Sequence, residues 1–279
     1  MTPTIVRHDG PAGRFYEVPT DPNPQRADGL YGSVTHILDG GYPKPALQWW
    51  AASEERKLVS AAAADLFEAF ATELVPPVMP RAAYLATLKE QLGPTKAHQK
   101  LLAKAGDIGT QAHDMIAWIL RTAIGAVAGP KPVIADAAQW SVFAFEDWAK
   151  SVNFKPVLCE RTVYSKVHGF AGTLDVLGRV NGVMTEISVK TSKGIYPDNF
   201  LQSAAYVTAL VERGYLPPDG GSLILRLPKN VDDPAFEVVP APPAAELLPT
   251  FLAVKQVWEF TYAADQAYRA RTAKRTKVA

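Results

Sequence analysis

The sequence has very little cysteine and very little net charge. Cys159 is the one cysteine among 279 residues. A single thiol excludes an internal disulfide, a cysteine-rich zinc site and a four-cysteine iron–sulfur cluster. The 29 lysines and arginines nearly balance the 28 aspartates and glutamates, so the formal net charge is +1. A nucleic acid would therefore have to meet a local basic patch, because the field of the whole protein is weak.

Long apolar stretches are also missing. The sequence has no run of about 18 apolar residues, which predicts no transmembrane helix and no membrane partner. The first eight residues, Met1 to His8, lack a basic segment followed by an apolar run, so we expect no signal peptide. With 48% hydrophobic residues, the chain can bury an ordinary globular core. A reducing cytosol fits these features and the single cysteine.

The predicted secondary structure changes character near residue 152. Residues 1–30 are rich in Pro, Gly and Asp and predict a loop-rich lead-in with one strand-like patch at 14–18. Residues 31–152 predict a helical region, with helices at 33–38, from Pro45, at 53–75 and 81–92, from near Asp107, and at 133–151. Residues 153–279 predict strands at 157–164, 171–180, 183–190, 222–227 and 236–239, and helices at 197–213 and 244–271. This order indicates one integrated α+β domain with a helical N-terminal elaboration.

One predicted hairpin carries residues suited to phosphodiester chemistry. Asn181 and Gly182 form a strong two-residue turn signal between two strands. Asp175 lies on the first strand and Lys190 at the end of the second. A carboxylate can bind Mg²⁺, a bound metal can activate water, and an ammonium can stabilise developing charge. Such a pair on adjacent strands is usually only a solvated contact, so it does not decide the function by itself.

Four motifs in order resemble the RecB-like PD-(D/E)XK nuclease superfamily, which includes phage exonucleases. They are Gly109-Thr-Gln-Ala-His113, Gly169-Phe-Ala-Gly-Thr-Leu-Asp175, Lys190-Thr-Ser-Lys193 and Gln202-Ser-Ala-Ala-Tyr206. The resemblance covers roughly residues 30–230. It implies a restriction-endonuclease-like mixed sheet flanked by helices, and a nuclease that depends on Mg²⁺ or Mn²⁺. It further implies an exonuclease acting on DNA in phage-type recombination or replication, in a bacterial or phage-infected host cytosol. A recombinase or a single-strand-binding protein would be a possible partner.

The resemblance also assigns roles to individual residues. Asp175 would be the principal metal-binding and catalytic carboxylate, Lys190 the catalytic lysine, and His113 a metal ligand from the helical region. Glu160 would supply a further carboxylate to the metal. Gln202 and Tyr206, four residues apart on one helix face, would contact the DNA. Lys193 would contact a phosphate of the same substrate.

Ser188 departs from the pattern of this superfamily. It stands two residues before Lys190, where the superfamily has Asp or Glu. A neutral hydroxyl is a poor ligand for Mg²⁺, so Ser188 is assigned only to DNA contact. Glu186 shares the strand face of Ser188 and Lys190 and lies about 6.6 Å further along the strand than Ser188, at about 3.3 Å per residue. It is an alternative metal-binding and catalytic carboxylate. Two functions stay open: an active nuclease, or a catalytically degenerate module that binds DNA or protein.

Overall fold

The computed structural model describes residues 4–10, 13–71, 81–217, 221–230, 232–233 and 235–276. The chain divides into two compact units, residues 1–43 with 109–279, and residues 44–108. These borders differ from the predicted ones at residues 30 and 152. The first unit contains residues from both sides of each predicted border. The reason is that the N-terminal strands belong to the same sheet as the strands after residue 152.

The first unit is built on a mixed sheet of eight strands. They are β1 (Val6–Gly10), β2 (Gly13–Glu17), β3 (Tyr31–Ser33), β4 (Lys155–Ser165), β5 (Phe170–Val180), β6 (Val183–Lys190), β7 (Gly221–Arg226) and β8 (Glu237–Pro240). Their order is β1-β2-β3-β5-β6-β7-β8, and β4 pairs with β5 outside this path. β3 pairs with β5, and β6 with β7, in parallel; the other pairs are antiparallel.

The N-terminal lead-in is not the loop that its composition predicts. β1 and β2 form an antiparallel hairpin with Val6 opposite Glu17 and Gly10 opposite Gly13. β2 then pairs with β3, which joins the start of β5. Strands this short carry little periodic signal, and all five residues of β1 are exposed, so no apolar alternation identifies it.

β5 changes partners along one of its edges. Phe170 and Ala171 pair with β3, whereas residues 176–180 pair with β6. The opposite edge of β5 pairs with β4 over most of its length. Residues 172–175 of β5 therefore lie where β3 and β6 diverge, and we call this segment the β5 fork. Within the part of the chain that the structure describes, the backbone groups of the β5 fork have no partner strand along this edge. Asp175 is the last residue of the fork.

Helices cover both faces of the sheet. The helices are α1 (Val34–Gly41), α2 (Pro45–Ala71), α3 (Arg81–Leu92), α4 (Ala97–Ala123), α5 (Asp136–Ser151), α6 (Pro197–Glu212) and α7 (Ala244–Thr276). One apolar core includes Leu210 of α6 and Phe251 of α7 against the sheet. The other includes Met115 of α4 and Phe145 of α5 on the opposite side. This architecture confirms the predicted α+β class with a mixed sheet flanked by helices.

Alternate side chains of β6 point to opposite faces of the sheet, and each face is covered by one of these two helical layers. Ile187 and Val189 belong to the core beneath α4 and α5. Successive side chains of a strand point to opposite faces, so Glu186, Ser188 and Lys190 face the α6 side. The predicted shared face of these three residues is therefore present, and the fold presents it to α6 rather than to α4.

The second unit consists of α2, α3 and the beginning of α4. Pro45 begins α2, as its fixed φ predicts. The predicted helix at 53–75 is the body of α2, and its last residues, 72–75, lie outside the described residues. α4 begins at Ala97, ten residues before the predicted start, because a helix tolerates Gly106 at a cost of only ~1 kcal/mol. None of the described helices is long and apolar enough to cross a membrane.

Candidate metal centre

Three side chains from three different elements meet beside the β5 fork. His113 comes from α4, Glu160 from β4 and Asp175 from β5, and one ligand atom of each lies within 4.8 Å of the others. His113 Nδ1 is 3.7 Å from Asp175 Oδ1. All three side chains are half-buried. We call them the ligand cluster, and among the described residues it is the one group of this kind. The structure thus brings together three of the four predicted metal ligands.

A glycine lets α4 approach closely enough to deliver His113. A Cβ on Gly109 would lie 2.8 Å from Thr191 Oγ1, closer than ordinary packing allows. Thr191 directly follows β6. His113 comes about one helical turn after Gly109, so the close contact places its imidazole over the end of the sheet. This contact explains physically why the motif Gly109-Thr-Gln-Ala-His113 needs its first residue.

Glu160 lies in a strained segment of β4. Its φ is +47°, in the left-handed region that side chains other than glycine rarely adopt. Its neighbours Cys159 and Arg161 pair with Val176 and Leu174, so Glu160 lies opposite Asp175. Strain of this kind persists only where surrounding structure holds it, and it occurs preferentially at functional sites. Sequence alone gives no signal for this conformation.

Asp175 uses its two carboxylate oxygens in different directions. Oδ2 accepts a 2.8 Å hydrogen bond from the backbone N–H of Val189, and Lys190 Nζ lies 3.9 Å from the same oxygen. Oδ1 faces His113. The regular pairing of β5 with β6 ends at Val176 and Ile187. The Val189 N–H lies beyond the last paired residues of β5 and β6, and the Asp175 carboxylate accepts its hydrogen bond instead of a β5 carbonyl. This bond fixes the orientation of the carboxylate.

Lys190 is held by a chain of polar contacts from α6. Its Nζ donates a 2.6 Å hydrogen bond to Gln202 Oε1, and Gln202 Nε2 donates to the Tyr206 hydroxyl at 3.4 Å. The predicted common face of Gln202 and Tyr206 is thus present. Tyr206 is buried beneath Gly172, where a Cβ would lie 2.6 Å from its ring. Tyr206 supports Gln202 from within the core, and both side chains line the pocket that surrounds the ligand cluster.

Glu186 and Ser188 lie behind the ligand cluster and do not join it. Both are fully buried. Ser188 Oγ donates a 3.0 Å hydrogen bond to one oxygen of Glu186, and Ser203 Oγ donates to the other. Burial raises the pKa of Glu186 to about 8, which the two serine bonds only partly offset. The structure therefore holds Glu186 between two serines beneath α6, whereas Glu160 is the carboxylate that lies with Asp175 and His113.

A pocket of about 640 Å³ surrounds the ligand cluster. Three arginines line it, namely Arg7 on β1, Arg14 on β2 and Arg121 on α4. Burial and the charge of Asp175 raise the pKa of Glu160 to about 7, whereas Arg121 and Arg7 act in the opposite sense. Arg121 lies eight residues after His113 on the same side of α4. This spacing could have predicted from the sequence that Arg121 lies near the site. The N-terminal arginines had no such signal. Lys193 is exposed and is not among the residues that line the pocket.

Comparisons with known proteins give only distant structural likenesses. No protein-family model and no curated protein matches the sequence significantly. The crystal structure of a "Putative exonuclease" from Eubacterium rectale is similar over 81% of each chain, with 13% identity and a TM-score of 0.37. Similarity this distant carries no weight for function, and the function below rests on the residues of this chain.

Proposed function

We propose that this chain is a divalent-metal-dependent nuclease that hydrolyses phosphodiester bonds in DNA. The observation that carries this function is the convergence of His113, Glu160 and Asp175 within 4.8 Å, with Lys190 3.9 Å from Asp175. Two acids and an imidazole that line one pocket, with an ammonium beside one of the acids, are the groups that metal-assisted hydrolysis needs. The order of the four motifs supports the finer assignment to exonucleases of phage-type recombination or replication. That assignment implies work in the cytosol beside a recombinase or a single-strand-binding protein.

The donor set of the ligand cluster fits a divalent cation. Two carboxylates and one imidazole suit Mn²⁺, and the carboxylates also suit Mg²⁺. Burial and the neighbouring charge of Asp175 raise the pKa of Glu160, and a cation bound there would favour its charged form. A bound divalent ion would polarise the phosphate and lower the pKa of a water molecule. His113, Glu160 and Asp175 would hold the ion.

The remaining polar groups of the pocket bind and orient the substrate. Gln202 holds the Lys190 ammonium beside the Asp175 carboxylate, where a positive charge stabilises negative charge developing on a phosphate. Arg121 adds a guanidinium on the α4 side of the pocket. Since the net charge of the chain is only +1 and three acids also line the pocket, these cations together with a bound divalent ion would attract DNA.

Metal binding and cleavage together test the proposed nuclease. Mn²⁺ binding is measured by titration calorimetry, and cleavage by digestion of end-labelled linear DNA. Asp175→Asn should weaken Mn²⁺ binding and lower the cleavage rate by at least ~100-fold. Asp147→Asn makes the same change at an exposed position of α5 and serves as the matched control. Wild-type protein without Mn²⁺ affinity, or full activity in Asp175→Asn, would contradict the proposed function.

One observation favours a second function, a DNA-binding module that no longer cleaves. Ser188 stands where the related nucleases carry an acid, and its hydroxyl is buried and bonded to Glu186. Ser188 is also not a member of the ligand cluster. This alternative predicts tight DNA binding in EDTA and no cleavage with either Mg²⁺ or Mn²⁺. The digestion assay separates the two functions directly.

A further inference from the structure

An arginine pair on the N-terminal hairpin is organised by one aspartate. Side chains two apart on a strand share a face, so Arg7 and Asp9 of β1 point the same way. Arg14 of β2 lies directly opposite Asp9 in the hairpin register. Asp9 Oδ2 accepts a 2.5 Å hydrogen bond from Arg7 Nε, and Asp9 Oδ1 accepts a 2.8 Å bond from Arg14 Nε. One carboxylate therefore fixes two guanidiniums at once.

Both guanidiniums keep donors to offer to a ligand. A guanidinium carries five N–H donors, and Asp9 engages one from each arginine through Nε. Within the described residues, Asp9 is the single acid that pairs with Arg7 or Arg14. The Arg14 side chain also interacts with Tyr16. The trio therefore keeps a charge of +1 and the guanidinium donors that Asp9 and Tyr16 leave unengaged. Guanidiniums arranged in this way match the several oxygens of a phosphate.

The arginine pair belongs to the same pocket as the ligand cluster. Arg7 and Arg14 line that pocket together with His113 and Asp175. The exposed fractions of the side chains are 49% for Arg7, 37% for Arg14 and 53% for Asp9. Exposed ion pairs contribute little to stability, so folding does not account for this arrangement.

We propose that Arg7 and Arg14, held by Asp9, bind a phosphate group of the nucleic-acid strand whose cleavage site enters the ligand cluster. This phosphate clamp rests on the proposed function, and it names the N-terminal hairpin as a substrate-binding element. The bound group is either an internal phosphodiester or a terminal phosphate of the strand, since both present the same oxygens. Asp9 is a positioning residue that does not touch the substrate.

The clamp is tested by binding in EDTA, where no cleavage can occur. Anisotropy of a fluorescein-labelled single-stranded oligonucleotide is measured across a salt series, with and without a terminal phosphate at the unlabelled end. Arg7→Gln and Arg14→Gln should each weaken binding about 5- to 10-fold and reduce the magnitude of the salt slope by about 0.7. Arg179→Gln removes the same charge at an exposed position of the sheet outside the pocket, and it should bind like wild type.

Asp9→Asn distinguishes positioning from net charge. It removes a negative charge, so a pure field effect predicts tighter binding of the oligonucleotide. The clamp predicts weaker binding, because the asparagine amide keeps a single neutral acceptor oxygen and cannot hold both guanidiniums. Asp28→Asn changes the charge equally at an exposed partner of Arg26 outside the pocket, and it should bind as wild type or slightly more tightly. Asp9→Glu should restore most of the affinity.

The possible outcomes separate the clamp from the proposed nuclease. Loss of affinity confined to the phosphorylated oligonucleotide assigns the clamp to a terminal phosphate, and equal loss with both assigns it to a phosphodiester. Weak binding by the arginine variants without any metal-dependent cleavage supports the clamp and contradicts the nuclease. Unchanged affinity in both arginine variants, tighter binding by Asp9→Asn, or no binding by wild type would overturn the clamp. Circular dichroism confirms that each variant is folded.

Discussion

Gln202 Oε1 accepts a 2.6 Å hydrogen bond from Lys190 Nζ and holds that ammonium 3.9 Å from Asp175. Gln202→Ala should therefore leave Lys190 present but mobile. We expect the rate of DNA cleavage to fall by about 10-fold or more, because a group displaced from the reacting atoms loses most of its effect. Mn²⁺ affinity should stay unchanged, since Gln202 does not belong to the ligand cluster. Single-turnover digestion and calorimetry measure the two quantities.

A matched glutamine provides the control for this variant. Gln139 of α5 also makes a side-chain hydrogen bond, to Asp136, and does not line the pocket. Gln139→Ala should cleave DNA at the wild-type rate. Equal cleavage by Gln202→Ala and wild type would show that Lys190 does not depend on Gln202 for its position.

An acid at position 188 should harm the protein rather than restore a nuclease motif. Sequence alone suggests that Ser188→Asp would raise activity by supplying the missing carboxylate. In the structure, position 188 is fully buried against Glu186, whose pKa burial already raises to about 8. A second buried acid there should lower the free energy of unfolding by about 3 kcal/mol. Denaturant unfolding at pH 8 measures the change, and a gain in cleavage with no loss of stability would contradict this expectation.

The buried carboxyl of Glu186 should make stability depend on pH. Its pKa rises from an ordinary 4.5 to about 8 on folding. Below pH 4.5 both states hold the proton, and between 4.5 and 8 only the folded state does. The free energy of unfolding should therefore fall as pH rises through this window, by up to ~1.4 kcal/mol per pH unit from this group. Glu186→Gln should flatten that part of the profile, and denaturant titrations from pH 4 to 9 provide the measurement. An identical slope in wild type and variant would refute the assignment.

Gly172 should be sensitive to the addition of a single methyl group. A Cβ there would lie 2.6 Å from the Tyr206 ring, and Tyr206 supports Gln202. Gly172→Ala should cost about 1–3 kcal/mol of stability and lower cleavage as well, because the ring must move. Gly221→Ala is the matched control, since nothing lies within 4 Å of its added methyl group. If both variants melt at the wild-type temperature, the contact with Tyr206 is looser than the structure shows.

Local patterns in the sequence predicted much of the fold and part of the site. The turn at Asn181 and Gly182 is present, with φ values of +49° and +89° that this residue pair readily adopts. The strands around it place Asp175 near Lys190 because a hairpin fixes their register. The motif on α4 likewise indicated His113. Its position depends only on the helix and on the close contact of Gly109 with Thr191. These features depend on residues close together in the chain.

Features that depend on distant pairing were not predictable in the same way. β3 joins β5 across more than 130 residues, and neither strand indicates its partner. Arg7 and Arg14 reach the pocket only through that pairing. Glu186 was expected at the metal because strand periodicity places it on the same face as Lys190. Periodicity cannot reveal that α6 covers that face and that Ser203 bonds the carboxylate.

The β5 fork makes the beginning of the chain a part of the site. Every candidate ligand lies after residue 112, so a shortened protein starting at α4 would still contain the entire ligand cluster. It would lack β3, which with β6 borders residues 172–175 of β5. The vacated edge of β5 would then be open to pairing with another strand. Such a fragment would carry the entire ligand cluster in its sequence and yet lack the strand that borders one side of Asp175's segment, together with Arg7 and Arg14 of the pocket.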